Sequence, residues 1–477
     1  MNVIISIKQT LFQKKPIKLE WCYVVLSLFF GLIFIILIPP GWNPDEPQHY
    51  WRVQQISSGN FIPDQFESNN RIETGGALPA NSANFILSYD GYNALEDHSL
   101  RLNFPMWKNS HASTDTTEGG NEVNLNFSGS ARYSPVVYAP QAVTIWIAEQ
   151  LNASLLVGFI IAKVAGLLVQ TAAFFWAIRI IPRGKWILFA IALLPSTIVQ
   201  STAIGGDVMT TATCTLFIAL TLYLAYKERG PRTIEVTAMI TLVCLLGLVK
   251  PAYLPLCLLL VILPLANPWY RNVKRLLSLG TLSAVAIIPG LIWIKSTSFI
   301  VDYFNRPVHP DLQKSYILHQ PLEYLGVLMR TYFTEDQPKL LKTLFGNFLW
   351  DTAPLPLLIM FVGVIILCLT TFVSSKRELS ALKKPLSKSI KAVLLLVFLC
   401  MVVIISTGLY LMYTDYKATS ILGLQGRYYL PFLSLPLIAF MFTLPYKRQR
   451  RVKVTILILL ILMQLSAINV IWERIYV

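Results

Sequence analysis

Eleven apolar runs constrain this chain more than any other feature: they fall at residues 21–39, 154–178, 186–204, 207–226, 233–249, 251–266, 274–296, 354–373, 390–412, 427–444 and 453–471. About 20 apolar residues in a helix cross the hydrocarbon core of a bilayer. Charged residues make up only 14% of the 477, against about 25% in soluble domains, and they cluster between the runs. The expected fold is an all-α polytopic membrane protein with about eleven transmembrane helices. The net charge of +15 sits beside apolar runs, where a lipid surface accounts for it, so no nucleic acid partner is expected. The six cysteines (Cys22, Cys214, Cys244, Cys257, Cys368, Cys400) lie inside apolar segments without metal-ligand spacing, and no disulfide framework is expected. The first run lacks a small-x-small cleavage site before Pro40 and reads as a retained helix.

Basic residues set the orientation. Lys8, Lys14, Lys15 and Lys18 share one side with Arg179, Arg183 and Lys185, with Lys227, Arg229 and Arg232, and with Arg271, Lys274 and Arg275. The clusters from Lys376 to Lys391 and from Lys447 to Lys453 join them, and the positive-inside rule makes that side cytoplasmic. The chain then divides into a cytoplasmic amino terminus (1–20), a first helix (21–39), an extracytoplasmic loop with interfacial helices (40–153), helices 2–7 (154–296), a second extracytoplasmic loop (297–353) and helices 8–11 (354–477). Acidic residues outnumber basic ones in the first loop, the reverse of the cytoplasmic segments. Its Gly, Pro, Asn and Ser content, including Gly75-Gly76, predicts short helices and turns instead of a separate core. Residues 134–148 would upset this orientation if they spanned. Pro135, Pro140, Gln141 and Glu149 suit an interfacial or re-entrant helix better than a span.

Ionisable groups beside hydrocarbon are costly, which makes a cluster of them a functional hypothesis. Asn43-Pro44-Asp45-Glu46-Pro47-Gln48-His49-Tyr50-Trp51-Arg52 sets two carboxylates, a histidine and an arginine at the mouth of the first span. With a helix starting at Pro44, Asp45, His49 and Arg52 share one side. Asn43 as N-cap with Glu46 three residues on is a capping pattern, enough to explain Glu46 by itself. Four more features fall on the same face. Arg132 and Tyr133 serve either a ligand or the membrane interface. Asp207, after Gly205-Gly206, is a ligand or an N-cap. Lys250 occupies a very short outer connection, where positive charge is disfavoured. Gln425, Arg427 and Tyr428 open the tenth run, where an arginine suits phosphate or snorkels to headgroups. The histidines (His49, His98, His111, His309, His319) show no ligand spacing, and no metal is expected.

Asn43 to Tyr50, Tyr133-Ser134-Pro135 through Pro140-Gln141, the Asp207 turn, Lys250-Pro251-Ala252-Tyr253 and Gln425 to Tyr428 together resemble the DUF2142 family of bacterial polytopic membrane proteins, itself similar to GT-C fold glycosyltransferases. The first motif is the most specific; Val208 departs from the alanine that follows the aspartate in the family pattern. The resemblance implies a GT-C-like fold and an inverting transferase in the bacterial cytoplasmic membrane, with its active site on the extracytoplasmic face. It would move a sugar from a polyprenyl-phosphate donor to a glycan acceptor such as O-antigen or a wall polymer, with no cofactor. GT-C enzymes commonly carry an acid early in the first outer loop, which maps onto Asp45 or Glu46. A carboxylate there can take the acceptor's proton, and cations stabilise a departing phosphate. Asp45 is then the expected base, with Glu46 and His49 orienting it or the acceptor and Lys250 and Arg427 on phosphate. Arg52, Arg132, Tyr133, Asp207, Gln425 and Tyr428 complete the substrate-binding set. The alternatives are a polymerase or ligase acting on polyprenyl-pyrophosphate glycans, and a lipid-linked glycan transporter. A transporter needs charge along its helix interiors, where Lys163 stands alone.

Overall fold

Proline breaks several of the apolar runs. Residues 18–68, 70–105, 108, 121–300, 308–335, 337–375, 378, 386–442 and 446–477 are described by a computed structural model. Along the chain come α1 (Leu19–Leu37), α2 (Glu46–Ser57), β1 (Asp64–Ser68), β2 (Arg71–Pro79), β3 (Glu122–Asn126), α3 (Pro135–Gln150), α4 (Leu155–Ile180), α5 (Asp207–Tyr226), α6 (Thr233–Val249) and α7 (Val273–Ser296). The remaining main elements are β4 (Asn347–Phe348), β5 (Ala353–Pro354), α8 (Leu357–Thr370), α9 (Lys388–Met412) and α10 (Tyr446–Tyr476).

Among the described residues, five stretches are helices long and apolar enough to cross a membrane: Leu19–Leu37, Leu155–Ile180, Asp207–Tyr226, Lys388–Met412 and Arg448–Tyr476. The chain is a mostly helical polytopic membrane protein. Several other runs are broken. Residues 186–204 become Lys185–Ala192 and Pro195–Ser201. Pro251 and Pro255 turn the next short run into a 3-10 segment, Pro251–Val261, before Ile262–Ala266. Pro431 lies inside Gly426–Phe432, and the helix that follows is only Ser434–Ala439. A proline removes a helical N–H and clashes with the preceding turn, which a count of apolar residues does not register. Eleven runs therefore do not become eleven long helices.

The first large loop corrects the all-α expectation. β1, β2 and β3 form an antiparallel sheet in that order, with Gly75 facing both Asp64 and Asn126. A Cβ on Gly75 would stand 1.8 Å from the Leu125 carbonyl oxygen. The glycine pair that reads as a turn is thus a strand centre, where only glycine lets β3 close in. α3 runs through Pro140 as one 16-residue helix and packs on α2 and α4.

α1 and α4 are antiparallel neighbours: Ser27 Oγ meets Thr171 Oγ1 at 2.9 Å, and Lys163 Nζ donates to the Ile38 carbonyl at 3.0 Å. One end of the bundle gathers basic connections. There the Arg183 guanidinium lies 5.0 Å from the Tyr226 ring and Lys453 Nζ lies 5.9 Å from that of Trp186. Asn267 donates to the Lys227 carbonyl at 2.8 Å and the Lys185 N–H to Glu378 at 2.9 Å. The loops that follow α1, precede α5 and follow α6 meet at the opposite end. Lys8, Lys14, Lys15, His111 and most of the Lys376–Lys391 cluster lie outside the described residues.

Candidate functional site

A cavity of about 490 Å³ opens at that second end, walled by the start of α2, the Gly205–Asp207 turn, Lys250, the β4–β5 hairpin and the segment around Arg427. α2 begins later than the sequence suggests. Asp45 is its N-cap with a left-handed φ of 62°, and Glu46 is the first helical residue. Aspartate is among the few side chains that tolerate this region. Its carboxylate is 55% exposed, with Arg427 3.8 Å away. His49 follows one turn later, its Nδ1 2.6 Å from the Tyr138 hydroxyl. Burial lowers its pKa from 6.5 to about 4, over the opposing pull of Asp45 and Asp207, and Lys250 and Arg427 add to the fall. The ring is neutral near pH 7.

This sets a pH window for folding. Between 6.5 and about 4 the unfolded chain takes up a proton on His49 that the folded chain refuses, so stability falls as pH is lowered through that interval. Thermal unfolding in detergent should show the slope, and His49→Gln should flatten it. Equal slopes in both proteins would assign the effect elsewhere.

Opposite stands a tighter pair. Lys250 Nζ lies 2.8 Å from Asp207 Oδ1 and 5.2 and 5.6 Å from the ring centres of Tyr133 and Tyr428. Burial pulls the Lys250 pKa down, but Asp207 and the neighbouring tyrosines outweigh it and hold the ammonium well above its ordinary value. Asp207 opens α5 without capping it, so its role is the ion pair. Arg427 stands 3.9 Å from Asp207, and its Nε donates to Gln425 Oε1 at 2.5 Å. Asp45, His49, Tyr133, Asp207, Lys250, Gln425, Arg427 and Tyr428 all line the one cavity.

Three anticipated residues stand apart from it. Glu46 is fully buried and accepts from the N–H groups of Gly41 (3.1 Å), Asn43 (3.5 Å) and Ile204 (3.0 Å) and from Asn43 Nδ2 (3.1 Å). It reaches back as the capping pattern suggests, and also fastens the Asp45 loop to the turn before Asp207. Lys163, buried below it in α4, is its coulombic partner. Arg52 is buried and donates to Gln55 and to the Phe61 carbonyl; burial lowers its pKa to about 10. Arg132 donates to the Ile300 carbonyl at 3.0 Å. Neither arginine reaches the cavity wall.

The wall also holds residues with no sequence signal. Leu349, Trp350 and Asp351, between β4 and β5, have φ values of 55°, 59° and 66°. Left-handed backbone costs a side chain-bearing residue about 1–2 kcal/mol, and such strain gathers at functional sites. Among the described residues, no group of three or more His, Cys, Asp or Glu side chains could hold a metal ion.

Fold and cavity together define a polytopic membrane protein with a charged, water-accessible chamber at one end of its helices. A family model described as a predicted membrane protein, DUF2142, matches residues 28–438, and the chain belongs to that family. The match takes in every residue of the cavity wall. No curated protein and no solved structure matches the chain.

Proposed function

We propose that this protein is a GT-C-like, inverting glycosyltransferase that takes a sugar from a polyprenyl-phosphate donor and passes it to a surface glycan on the extracytoplasmic face of the bacterial cytoplasmic membrane. The observation that carries the reading is the meeting of an accessible acid, Asp45, with Arg427 at 3.8 Å in a chamber beside membrane-crossing helices. Asp45 removes the proton from an acceptor hydroxyl as that oxygen bonds to the anomeric carbon. The bond from that carbon to the donor phosphate breaks, and the phosphate leaves with the electron pair. A single displacement inverts the centre. Arg427 stands beyond hydrogen-bonding distance of both its carboxylate neighbours, at 3.8 and 3.9 Å, and so turns to the phosphate without breaking a hydrogen bond to either. Lys250, committed to Asp207, contributes charge behind it.

Three carboxylates (Asp45, Asp207, Asp351) to two cations (Lys250, Arg427) line the cavity, which favours a monophosphate donor over the more highly charged pyrophosphate of a polymerase or ligase. The basic end of the bundle suits the cytoplasm, which turns the cavity outward. Mass spectrometry of surface glycans from cells with and without the gene tests the reading. Loss of one glycosyl substituent is expected, and restoring the gene should restore it. Loss of the whole polymer would favour the polymerase or ligase, and an unchanged glycan would reject both.

A further inference from the structure

Asp351 plays no part in the transfer step above, yet the chain goes to some trouble to present it. It lines the same cavity as Asp45, at the end of three consecutive left-handed residues. Neighbours hold that turn in place. Trp350 Nε1 donates to the Gly41 carbonyl at 3.1 Å, and its ring lies 5.4 Å from that of Tyr92. Thr352 Oγ1 accepts from Arg474 Nε at 3.2 Å, and the Thr352 N–H bonds the Phe348 carbonyl at 3.1 Å. The hairpin is thus tied to the loop that carries Asp45.

Two acceptors on this hairpin await donors. Among the described residues, no hydrogen bond or ion pair engages the Asp351 carboxylate, and on β4 the buried Oδ1 of Asn347, also on the cavity wall, has no hydrogen-bond partner. A buried acceptor without a donor is unfavourable, which applies to Asn347 Oδ1, and beside it the exposed Asp351 carboxylate is open to a ligand that brings O–H or N–H groups. An anion brings none and would be repelled by Asp351. A saccharide brings several, and a carboxylate can accept from two neighbouring hydroxyls at once.

We propose that Asp351, with Asn347, binds hydroxyl groups of a saccharide in this cavity, across from Asp45. This rests on the transferase reading for the ligand class. The hydroxyls belong either to the acceptor glycan or to the sugar of the lipid donor.

Asp351→Asn separates charge from backbone, because asparagine also tolerates a left-handed φ. Glycan purified from gene-deletion cells supplies the acceptor, and lipid extracted from wild-type membranes supplies the donor. The variant should raise the half-saturating concentration of one of them about tenfold or more, while the maximal rate stays within about threefold of wild type. A shift for the glycan assigns the acceptor, and a shift for the lipid assigns the donor sugar. No shift in either, or a loss of maximal rate alone, overturns the proposal.

A second measurement needs no turnover. Carbodiimide with glycine ethyl ester labels accessible carboxylates of the purified wild-type protein, read by mass spectrometry. The deletion-cell glycan or the lipid extract should protect Asp351 at least fivefold (~1 kcal/mol of occupancy), leaving the exposed Asp64 and Glu67 of β1 labelled as before. If the wild type transfers nothing, the transferase reading fails, and labelling still decides for Asp351: protection by neither preparation rejects it.

Discussion

Glu46→Ala should cost about 3–5 kcal/mol of stability, because each buried donor left without its acceptor costs about 1–3 kcal/mol. The carboxylate it deletes is fully buried and ties three backbone N–H groups and the Asn43 amide. Each of those donors would be left without its acceptor, and Lys163 without its coulombic partner. Lys163 is also fully buried, and would retain the Ile38 carbonyl at 3.0 Å and the Phe159 ring at 5.2 Å. The double variant Glu46→Ala, Lys163→Met tests the cause. Replacing both partners of a buried pair by apolar groups is often close to neutral, so the second change should return part of what the first removes. Thermal unfolding of the detergent-purified proteins measures this, and a double variant no more stable than Glu46→Ala would reject the pairing. The functional effect should exceed the thermal one. Glu46 joins the Asp45 loop to Ile204, three residues before Asp207, and without it the spacing between the two halves of the cavity is no longer fixed.

The same pair shows what a sequence can and cannot disclose. A charge beside hydrocarbon announces that something must balance its desolvation, and this made Asp45, Glu46, His49, Arg52, Asp207, Lys250 and Arg427 legible. It does not announce whether the balance is struck within the protein. Glu46 and Arg52 are balanced inside, by N–H groups and carbonyls, while Asp45 and Arg427 line open space. Local spacing also put Arg52 on the side of Asp45 and His49, yet its guanidinium extends to the Phe61 carbonyl. α5 and α6 fall where their apolar runs end, since turn residues such as Gly205-Gly206 and the Lys250-Pro251 junction interrupt hydropathy and helix together. Pro140 marks the limit of that logic: α3 passes through it, packed between α2 and α4. Asp351 was out of reach altogether. Leucine and tryptophan avoid positive φ, so nothing in Leu349-Trp350-Asp351 suggests a left-handed turn, and contacts from Gly41, Tyr92 and Arg474 help hold it there.

Asp45→Asn should reduce sugar transfer about 10²–10⁴-fold, the contribution of a positioned general base, with little change in folding. Asparagine tolerates the φ of 62° that residue 45 adopts, and a carboxylate 55% exposed and 3.8 Å from its nearest cation contributes little to stability. The rival base is Asp207, and the two carboxylates are unequally placed for the work. Asp207 is held by Lys250 at 2.8 Å, so a proton arriving there would have to displace an ammonium already in hydrogen-bond contact. Asp45 has no such competitor: Arg427 is its closest cationic neighbour, beyond hydrogen-bond range. Asp207→Asn should therefore act differently, loosening Lys250 and weakening the half-saturation for the donor lipid more than the maximal rate. Donor lipid from wild-type membranes and glycan from deletion cells allow both variants to be compared in one assay. If Asp45→Asn keeps its maximal rate within about threefold of wild type while Asp207→Asn loses it, proton removal belongs to Asp207. Lys250 would then have to release that carboxylate during each turnover, and the ion pair that looks permanent would be the moving part of the site.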